Sequence, residues 1–233
     1  MLKEGILYSK KQVLLLSKDR ACVRISFQLH CNATPCIMNN EERLSQLQIE
    51  LTGGDDTHAE AAALAIGKFG AEALPILRSL LTQEDSDQRW WATRALGATG
   101  SDEAIALLIE RCADPEIDVR VCAIVALGQF GEHGAPSVST LIARMTDGNV
   151  FEATLAADAL AQIGRAATQE LVHALQAGSA AVRGRAARAL AHIADPTSIP
   201  ALIAALDDES PIVEHYANEV LPKLGVGSIL LKL

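Results

Sequence analysis

The sequence contains few aromatic residues and no long apolar run. Phe, Trp and Tyr together make up 3% of its 233 residues, although 49% of the chain is hydrophobic. No apolar run approaches the roughly 18 residues that a membrane-crossing helix requires, so we expect no membrane partner. Ala and Leu supply most of the apolar residues, and both favour helices, whereas runs of β-branched residues are scarce. This composition predicts stacked helices rather than sheets.

Basic charge is also scarce. Lys and Arg number 20 against 29 Asp and Glu, which gives a formal net charge of -9. Proteins that bind nucleic acids present basic surfaces to the phosphate backbone, so we expect no nucleic-acid partner. The acidic balance instead favours a protein partner that is neutral or basic where it docks.

The cysteines do not form a pattern typical of disulfides or of a metal site. Their odd number favours free thiols in a reducing compartment, and hence a cytoplasmic location. The spacing of Cys22, His30, Cys31 and Cys36 lacks the two Cys-x-x-Cys pairs of a structural zinc site. We therefore predict no metal and no cofactor. The five cysteines are Cys22, Cys31, Cys36, Cys112 and Cys122.

The beginning of the chain differs from the rest. Residues 1–37 carry a net charge of +4, whereas the remaining residues carry -13. Two interpretations are open: a basic arm that touches a partner, or a poorly ordered upstream extension with Met38 as the effective start. After it we predict a repeat domain over 38–233, whose first helix, 40–51, is capped by Asn40 with Glu41 and Glu42 in its first turn.

One phrase recurs along this domain. It reads VRVCAIVALGQFG at 119–131, QRWWATRALGATG at 88–100 and VRGRAARALAHIA at 182–194. The aligned residues lie 30, 31, 33, 30 and 31 residues apart, and a Gly or another small residue follows four residues after each. They are Ile66, Leu96, Leu127, Leu160, Leu190 and Leu221.

Each phrase is followed by a second apolar-periodic stretch, so a unit consists of a helix, a tight turn and another helix. A single helical pair of this size buries its apolar faces only by stacking on its neighbours. The sequence therefore predicts an all-α, right-handed α-solenoid of five to six short helical-hairpin repeats. The repeats span about 55–225, with a C-terminal cap at 226–233.

The phrase resembles the short HEAT-like repeats of the phycobilisome-lyase type. The resemblance implies that the first helix of each unit lines the concave face and that the arginine seven residues before the aligned Leu is structural. It carries little information on function, because this repeat serves unrelated proteins. The fullest copy consists of Val119, Arg120, Ala123, Ala126, Leu127 and Gly128.

Positions around the first helix divide into core, flank and groove. We number them from the aligned residue, so that -8, -4, -1 and +3 form one apolar stripe and predict the core. Position -7 holds Arg89, Arg120 and Arg183. Two interpretations are open for these arginines: an anion-binding ladder, or struts between repeats that pair with an acid such as Asp87 or Asp118 or with loop carbonyls.

Positions -6 and -2 point away from this core stripe and predict a partner-binding groove. Apolar side chains there, with Ile124 at -3, are expected to be exposed as a docking patch. The alternative for Trp90 is that it packs against helix 40–51 or fills a gap between units. The predicted groove residues are Trp90, Arg94, Val121, Ile124, Val125, Asp158, Arg188 and His192.

No catalytic motif stands out from the repeat pattern, so we predict a non-enzymatic scaffold that binds a protein along its concave groove. One alternative is a bilin lyase acting on a phycobiliprotein, where Arg94 and Arg188 would receive the bilin propionates. Another is an oxidoreductase similar to deoxyhypusine hydroxylase, although the His-Glu pairs of that family are absent from this sequence. A monomer and a heterodimer both remain open.

Overall fold

The computed structural model describes residues 38–226. The predictions for 1–37, and for the part of the C-terminal cap at 227–233, lie outside this range. Within it the chain forms α-helices and short 3-10 turns and contains no strand. No helix of this range is long and apolar enough to cross a bilayer.

The α-helices alternate between the two members of each unit. After α1, the even-numbered helices are first helices and carry the recurring phrase, and the odd-numbered ones are second helices. The helices are α1 (Asn40–Thr52), α2 (Asp56–Gly67), α3 (Leu74–Leu81), α4 (Ser86–Thr99), α5 (Asp102–Arg111), α6 (Ile117–Gln129), α7 (Val138–Asp147), α8 (Val150–Ile163), α9 (Thr168–Ala177), α10 (Ala180–Ile193), α11 (Ile199–Ala204) and α12 (Pro211–Lys223).

The cap of α1 lies one residue before the predicted one. The side chain of Asn39, not Asn40, accepts a hydrogen bond from the Glu42 amide at 2.8 Å, and Glu42 accepts one from the Asn39 amide at 3.1 Å. This reciprocal arrangement is a capping box. Leu44, Leu47 and Leu51 lie along one face of α1 and are buried against α2, so α1 covers the N-terminal side of the first unit.

The turns adopt the conformation that the small residues predict. The residue four positions after each aligned residue has a positive φ in all six units, and these are Gly70, Gly100, Gly131, Gly164, Ala194 and Gly225. Ala194, at φ 51°, has the single positive φ of a non-glycine residue within 38–226. A residue with positive φ at this position ends the first helix and lets the chain reverse into the second.

The first helices approach one another closely in the first half of the array. A Cβ placed on Gly67 would lie 2.4 Å from the Cβ of Ala98, and one on Gly128 would lie 2.9 Å from the Cα of Ala159. The predicted core positions of α6 agree with this packing, since Val119 and Ala123 are fully buried. Small residues at the contact thus bring α2, α4, α6 and α8 into a close stack.

The second helices are farther apart. A cleft of about 280 Å³ opens between α5 and α7, lined by Ile109, Ala143 and Arg144, and one of about 260 Å³ opens between α3 and α5. An array that is tight on one side and open on the other curves toward its tight side. The first helices therefore line the inner, concave face, and the predicted all-α solenoid is confirmed.

Candidate partner-binding groove

The groove is formed by the first helices, but its apolar content is smaller than the sequence predicts. Trp90, Val121 and Ile124 were expected to be exposed, and that prediction is wrong: their exposed fractions are 1%, 0% and 0%. The indole of Trp90 stacks edge-on against that of Trp91 at 4.6 Å, and the thiol of Cys122 lies 3.9 Å from the Trp90 carbonyl oxygen. These three residues are core because the close stack turns positions -6 and -3 into helix-to-helix contacts.

Arg94 lies on the groove side of α4, and a neighbouring unit holds it in place. Its Nη2 donates to Oε1 of Glu60 on α2 at 2.6 Å. The two side chains are 18% and 23% exposed, so the pair is largely shielded from water. Arg94 is therefore a bridge between the first and second units.

Arg188 on α10 makes the equivalent bridge farther along the groove. Its Nη2 lies 2.8 Å from Oδ1 of Asp158 on α8 and donates to the carbonyl oxygen of Thr154 at 3.3 Å. Two of the predicted groove residues are thus paired with each other. Both side chains still reach solvent, at 26% for Arg188 and 41% for Asp158, so the pair lies on the groove surface.

Arg89 at position -7 binds the loop that leads into the next unit. Its Nε and Nη2 donate to the two carboxylate oxygens of Asp114 at 2.9 and 3.0 Å, and its Nη1 donates to the carbonyl oxygens of Gln83 and Glu84. Burial opposes ionisation of Asp114, but the hydrogen bonds from Arg89 and from the Glu116 amide outweigh it and lower the pKa of Asp114. A bidentate, charge-assisted pair of this kind holds two units in register.

The other two arginines at position -7 occupy equivalent positions. Arg120 donates to Oε1 of Glu152 at 2.7 Å, and Arg183 donates to both carboxylate oxygens of Asp208 at 2.7 and 2.9 Å. The hydrogen bond from Arg183 lowers the pKa of Asp208. Each of the three guanidiniums is therefore already engaged by a carboxylate of the following unit, an arrangement that favours the strut over the anion-binding ladder.

The arginines at positions -7 and -2 together bridge all five joints between the six described units. Position -2 serves the joints where position -7 holds alanine, at Ala59 and Ala153. The sequence does not reveal which position supplies the bridge at each joint, because each acidic partner lies 25 to 34 residues away from its arginine. In chain order the bridges are Arg94–Glu60, Arg89–Asp114, Arg120–Glu152, Arg188–Asp158 and Arg183–Asp208.

A shallower row of side chains remains open to a partner. Val125 is half-buried, His192 is exposed, and Leu64 is 44% exposed. Gln129 and Gln162, at position +2, are exposed as well and were missed by the sequence analysis. Position +2 follows position -2 by four residues and so lies on the same helix stripe, which is the signal that would have found them.

The glutamines lie over the close helix contacts. Oε1 of Gln162 lies 3.2 Å from the place where a Cβ on Gly128 would stand, and Oε1 of Gln129 lies 3.8 Å from the same place on Gly97. Each glutamine therefore extends across the preceding first helix. The groove floor presents amide groups there, beside the apolar surface of Val125.

Both cysteines of the described range lie in the interior of the solenoid. Cys112 and Cys122 are buried, and burial raises the pKa of the Cys112 thiol to about 12. At neutral pH this thiol is therefore protonated. Between residues 38 and 226, no group of three or more His, Cys, Asp and Glu side chains is arranged to hold a metal ion.

Sequence comparison relates the chain to a repeat family and to one enzyme. The family model described as HEAT repeats matches residues 44–128 and 138–222, which together exceed half of the chain. The chain is also 28% identical to deoxyhypusine hydroxylase from Mus musculus over an alignment of 180 residues, and the match covers 65% of this chain and 60% of that protein. It thus spans less than two thirds of the length of this curated relative.

Structural comparison finds similar solved structures. The archaeal HEAT-like repeats protein from Thermococcus onnurineus NA1 is 13% identical, with a TM-score of 0.54 over 78% of this chain and 80% of that one. The complex of CpcE and CpcF of phycocyanin lyase from Nostoc sp. PCC7120 is 22% identical, with a TM-score of 0.45 over 86% of this chain and 82% of that one. At these identities the archaeal protein supports the fold alone.

Proposed function

Because the chain belongs to the HEAT-repeat family, with the repeat units stacked around one continuous groove, we propose that it is a non-enzymatic scaffold that binds a protein partner along this groove. We further propose that its repeats are of the phycobilisome-lyase HEAT-like type. The phrase Val119–Gly128, with Arg120 as an inter-unit bridge, supports this subtype.

One observation carries the proposal of partner binding. The first helices form an uninterrupted inner surface on which Leu64, Val125, Gln129, Gln162 and His192 reach solvent without belonging to any inter-unit bridge. Apolar side chains and amide groups on a rigid concave surface suit an extended protein segment, since the amides can pair with its backbone. The groove residues Asp158 and Arg188 would add a paired charge beside it.

Binding would depend on the solvent-facing row and not on Trp90. Val125 and Leu64 are the apolar members of this row, so we expect Glu at both positions to remove partner binding and leave the fold intact. The matched control is Ile203→Glu, because Ile203 lies on α11, on the outer side, and is 38% exposed. The three proteins would be compared for helical content by circular dichroism before any binding measurement.

The test is affinity capture by the full chain from its source lysate, read by mass spectrometry. A discrete partner recovered by wild type and by Ile203→Glu, and lost with Leu64→Glu and Val125→Glu, supports groove binding. Identical recovery by all three proteins contradicts it. Recovery of a pigmented phycobiliprotein would instead favour the bilin-lyase alternative.

A further inference from the structure

The two long edges of the array differ in charge. We define the loop edge as the segments where one unit passes into the next: 52–59, 82–90, 111–120, 144–152, 176–183 and 205–212. The turn edge consists of the segments between the two helices of a unit: 67–74, 98–103, 129–138, 162–168, 192–199 and 222–226. The loop edge carries thirteen Asp and Glu against five Arg, whereas the turn edge carries five acids against three Lys and Arg.

Most arginines of the loop edge do not offset its free acids, because they are already paired. Arg89, Arg120 and Arg183 are held by Asp114, Glu152 and Asp208. Glutamates at other points of the same edge are exposed and belong to none of these bridges. They are Glu84, Glu116 and Glu209.

An apolar patch lies on the same edge in the second half of the array. The first residues of α8, α10 and α12 are Val150, Ala180, Ala181, Pro211 and Ile212, and all five are exposed. Val150 is 75% exposed and Ile212 is 60% exposed, the two largest values for a big apolar side chain of the units themselves. The equivalent positions of the first three units hold Asp56, Thr57, Ser86, Asp87, Ile117 and Asp118.

Within the patch, α12 contacts the preceding first helix. Cγ2 of Ile212 lies 3.3 Å from the place where a Cβ on Gly184 would stand, so Ile212 rests against α10. Exposed Asp147, Asp207 and Glu209 border the patch. An apolar surface rimmed by charge of one sign is typical of a docking site.

We propose that this patch and the acidic loop edge beside it form a second docking surface, at the loop-edge margin of the groove, for a protein segment with an apolar anchor and flanking Lys or Arg residues. The apolar patch would hold the anchor, and the exposed glutamates would attract the basic residues. Charge complementarity decides between this occupant and a second copy of the chain. A symmetric pair of copies would bring two acidic edges together, and like charges repel.

The test uses a synthetic peptide with a Leu-Phe-Leu block, a Gly-Ser linker and six alternating Lys and Arg residues, labelled with a fluorophore. Its binding to the full chain is followed by fluorescence anisotropy at low and high salt. Val150→Ser combined with Ile212→Ser should weaken binding about tenfold, because both side chains lose apolar surface. Both residues are largely exposed, so the fold should persist, which circular dichroism checks.

A charge variant and its matched control isolate the electrostatic part. Glu84→Gln, Glu116→Gln and Glu209→Gln together should weaken binding about fivefold at low salt, and the effect should fade at high salt. The control carries the same change in net charge away from the loop edge, as Glu41→Gln, Glu132→Gln and Glu170→Gln. We expect less than about a twofold effect from it, because these three residues lie outside the loop edge and exposed charges are screened by salt.

Three outcomes would overturn the proposal. In one, the peptide fails to bind, or binds the Val150 and Ile212 variant as tightly as wild type. In another, the control triple weakens binding as much as the loop-edge triple, so that net charge alone attracts the peptide. In the last, light scattering shows a dimer of the full chain that the Val150 and Ile212 variant abolishes, so that a second copy covers the patch.

Discussion

The first three units and the last three share one phrase and differ in how closely they stack. Position +1 holds Gly67, Gly97 and Gly128 in the first half, and Ala161 and Ala191 in the second. A Cβ on any of these glycines would come within 3.0 Å of an atom on the next helix. A single methyl group per unit therefore separates a tight half from a looser one, and the exposed apolar patch falls in the looser half.

The same comparison holds at position -6. In the second unit Trp90 fills this position and is 1% exposed, whereas in the fourth unit Thr154 is half-exposed. At position -6, Trp90 and Val121 are therefore core, whereas Thr154 reaches the groove surface. Equivalent positions in a repeat do not have equivalent environments when the spacing between helices changes.

Trp90→Ala should have the largest effect. Removing a fully buried indole costs about 3–5 kcal/mol in free energy of unfolding, because a cavity remains in the tight half. Thr154→Ala at the same repeat position should cost less than about 1 kcal/mol. Urea unfolding followed by circular dichroism measures both, and equal costs would contradict the difference between the halves.

Asp114→Ala should have the next largest effect. The Asp114 side chain is fully buried, and its removal leaves Arg89, which is only 11% exposed, without a carboxylate partner. We therefore expect a loss of about 3 kcal/mol in free energy of unfolding. Asp208→Ala should cost less, because Asp208 and Arg183 are 13% and 21% exposed. Urea unfolding measures both variants, and we expect the lower midpoint for Asp114→Ala. The reverse order would contradict the prediction.

Gly128→Ala should have the smallest effect of the three. The substitution favours helix by up to about 1 kcal/mol, but its Cβ would meet the Ala159 backbone at 2.9 Å, which neither helix relieves without moving. We expect a net loss of about 1–2 kcal/mol. Gly100→Ala is unsuitable as a control because Gly100 has φ 66°, so the reciprocal Ala161→Gly serves instead.

Ala161 is half-buried, and glycine has a lower helix propensity than alanine. Ala161→Gly should therefore lower the free energy of unfolding by about 1 kcal/mol or less. Thermal melts of both variants would show whether the methyl group at +1 matters more in the tight half. A Gly128→Ala protein that melts at a higher temperature than wild type would refute the close-contact argument.

The fold could be predicted from the sequence because its determinants are local and repeated. The phrase places each first helix, the small residue after it marks the turn, and all six of these residues do adopt positive φ. The cap of α1 differs from the prediction, since Asn39 and not Asn40 caps the helix. Both asparagines offer a capping side chain, but only Asn39 has Glu42 three residues later, where a capping box requires it.

The groove could be predicted only in part. Helix periodicity places Trp90, Val121 and Ile124 off the core stripe, but the distance to the neighbouring helix decides whether such a side chain is buried. That distance depends on the glycines at +1 and on Ala98, Ala126 and Ala159 opposite them, which belong to other repeats. The pairing of Arg94 with Glu60 is likewise invisible in a helical wheel, because it joins two units.

The bridges also determine where the array is stiff. Two of them, Arg94–Glu60 and Arg188–Asp158, lie on the groove side, and the other three lie at the loop edge. The joint between α10 and α12 has neither a groove-side bridge nor a glycine at +1, since Ala191 stands there. We therefore expect the last joint to be the most compliant one of the solenoid, so that small movements of α12 would widen or narrow that end of the groove.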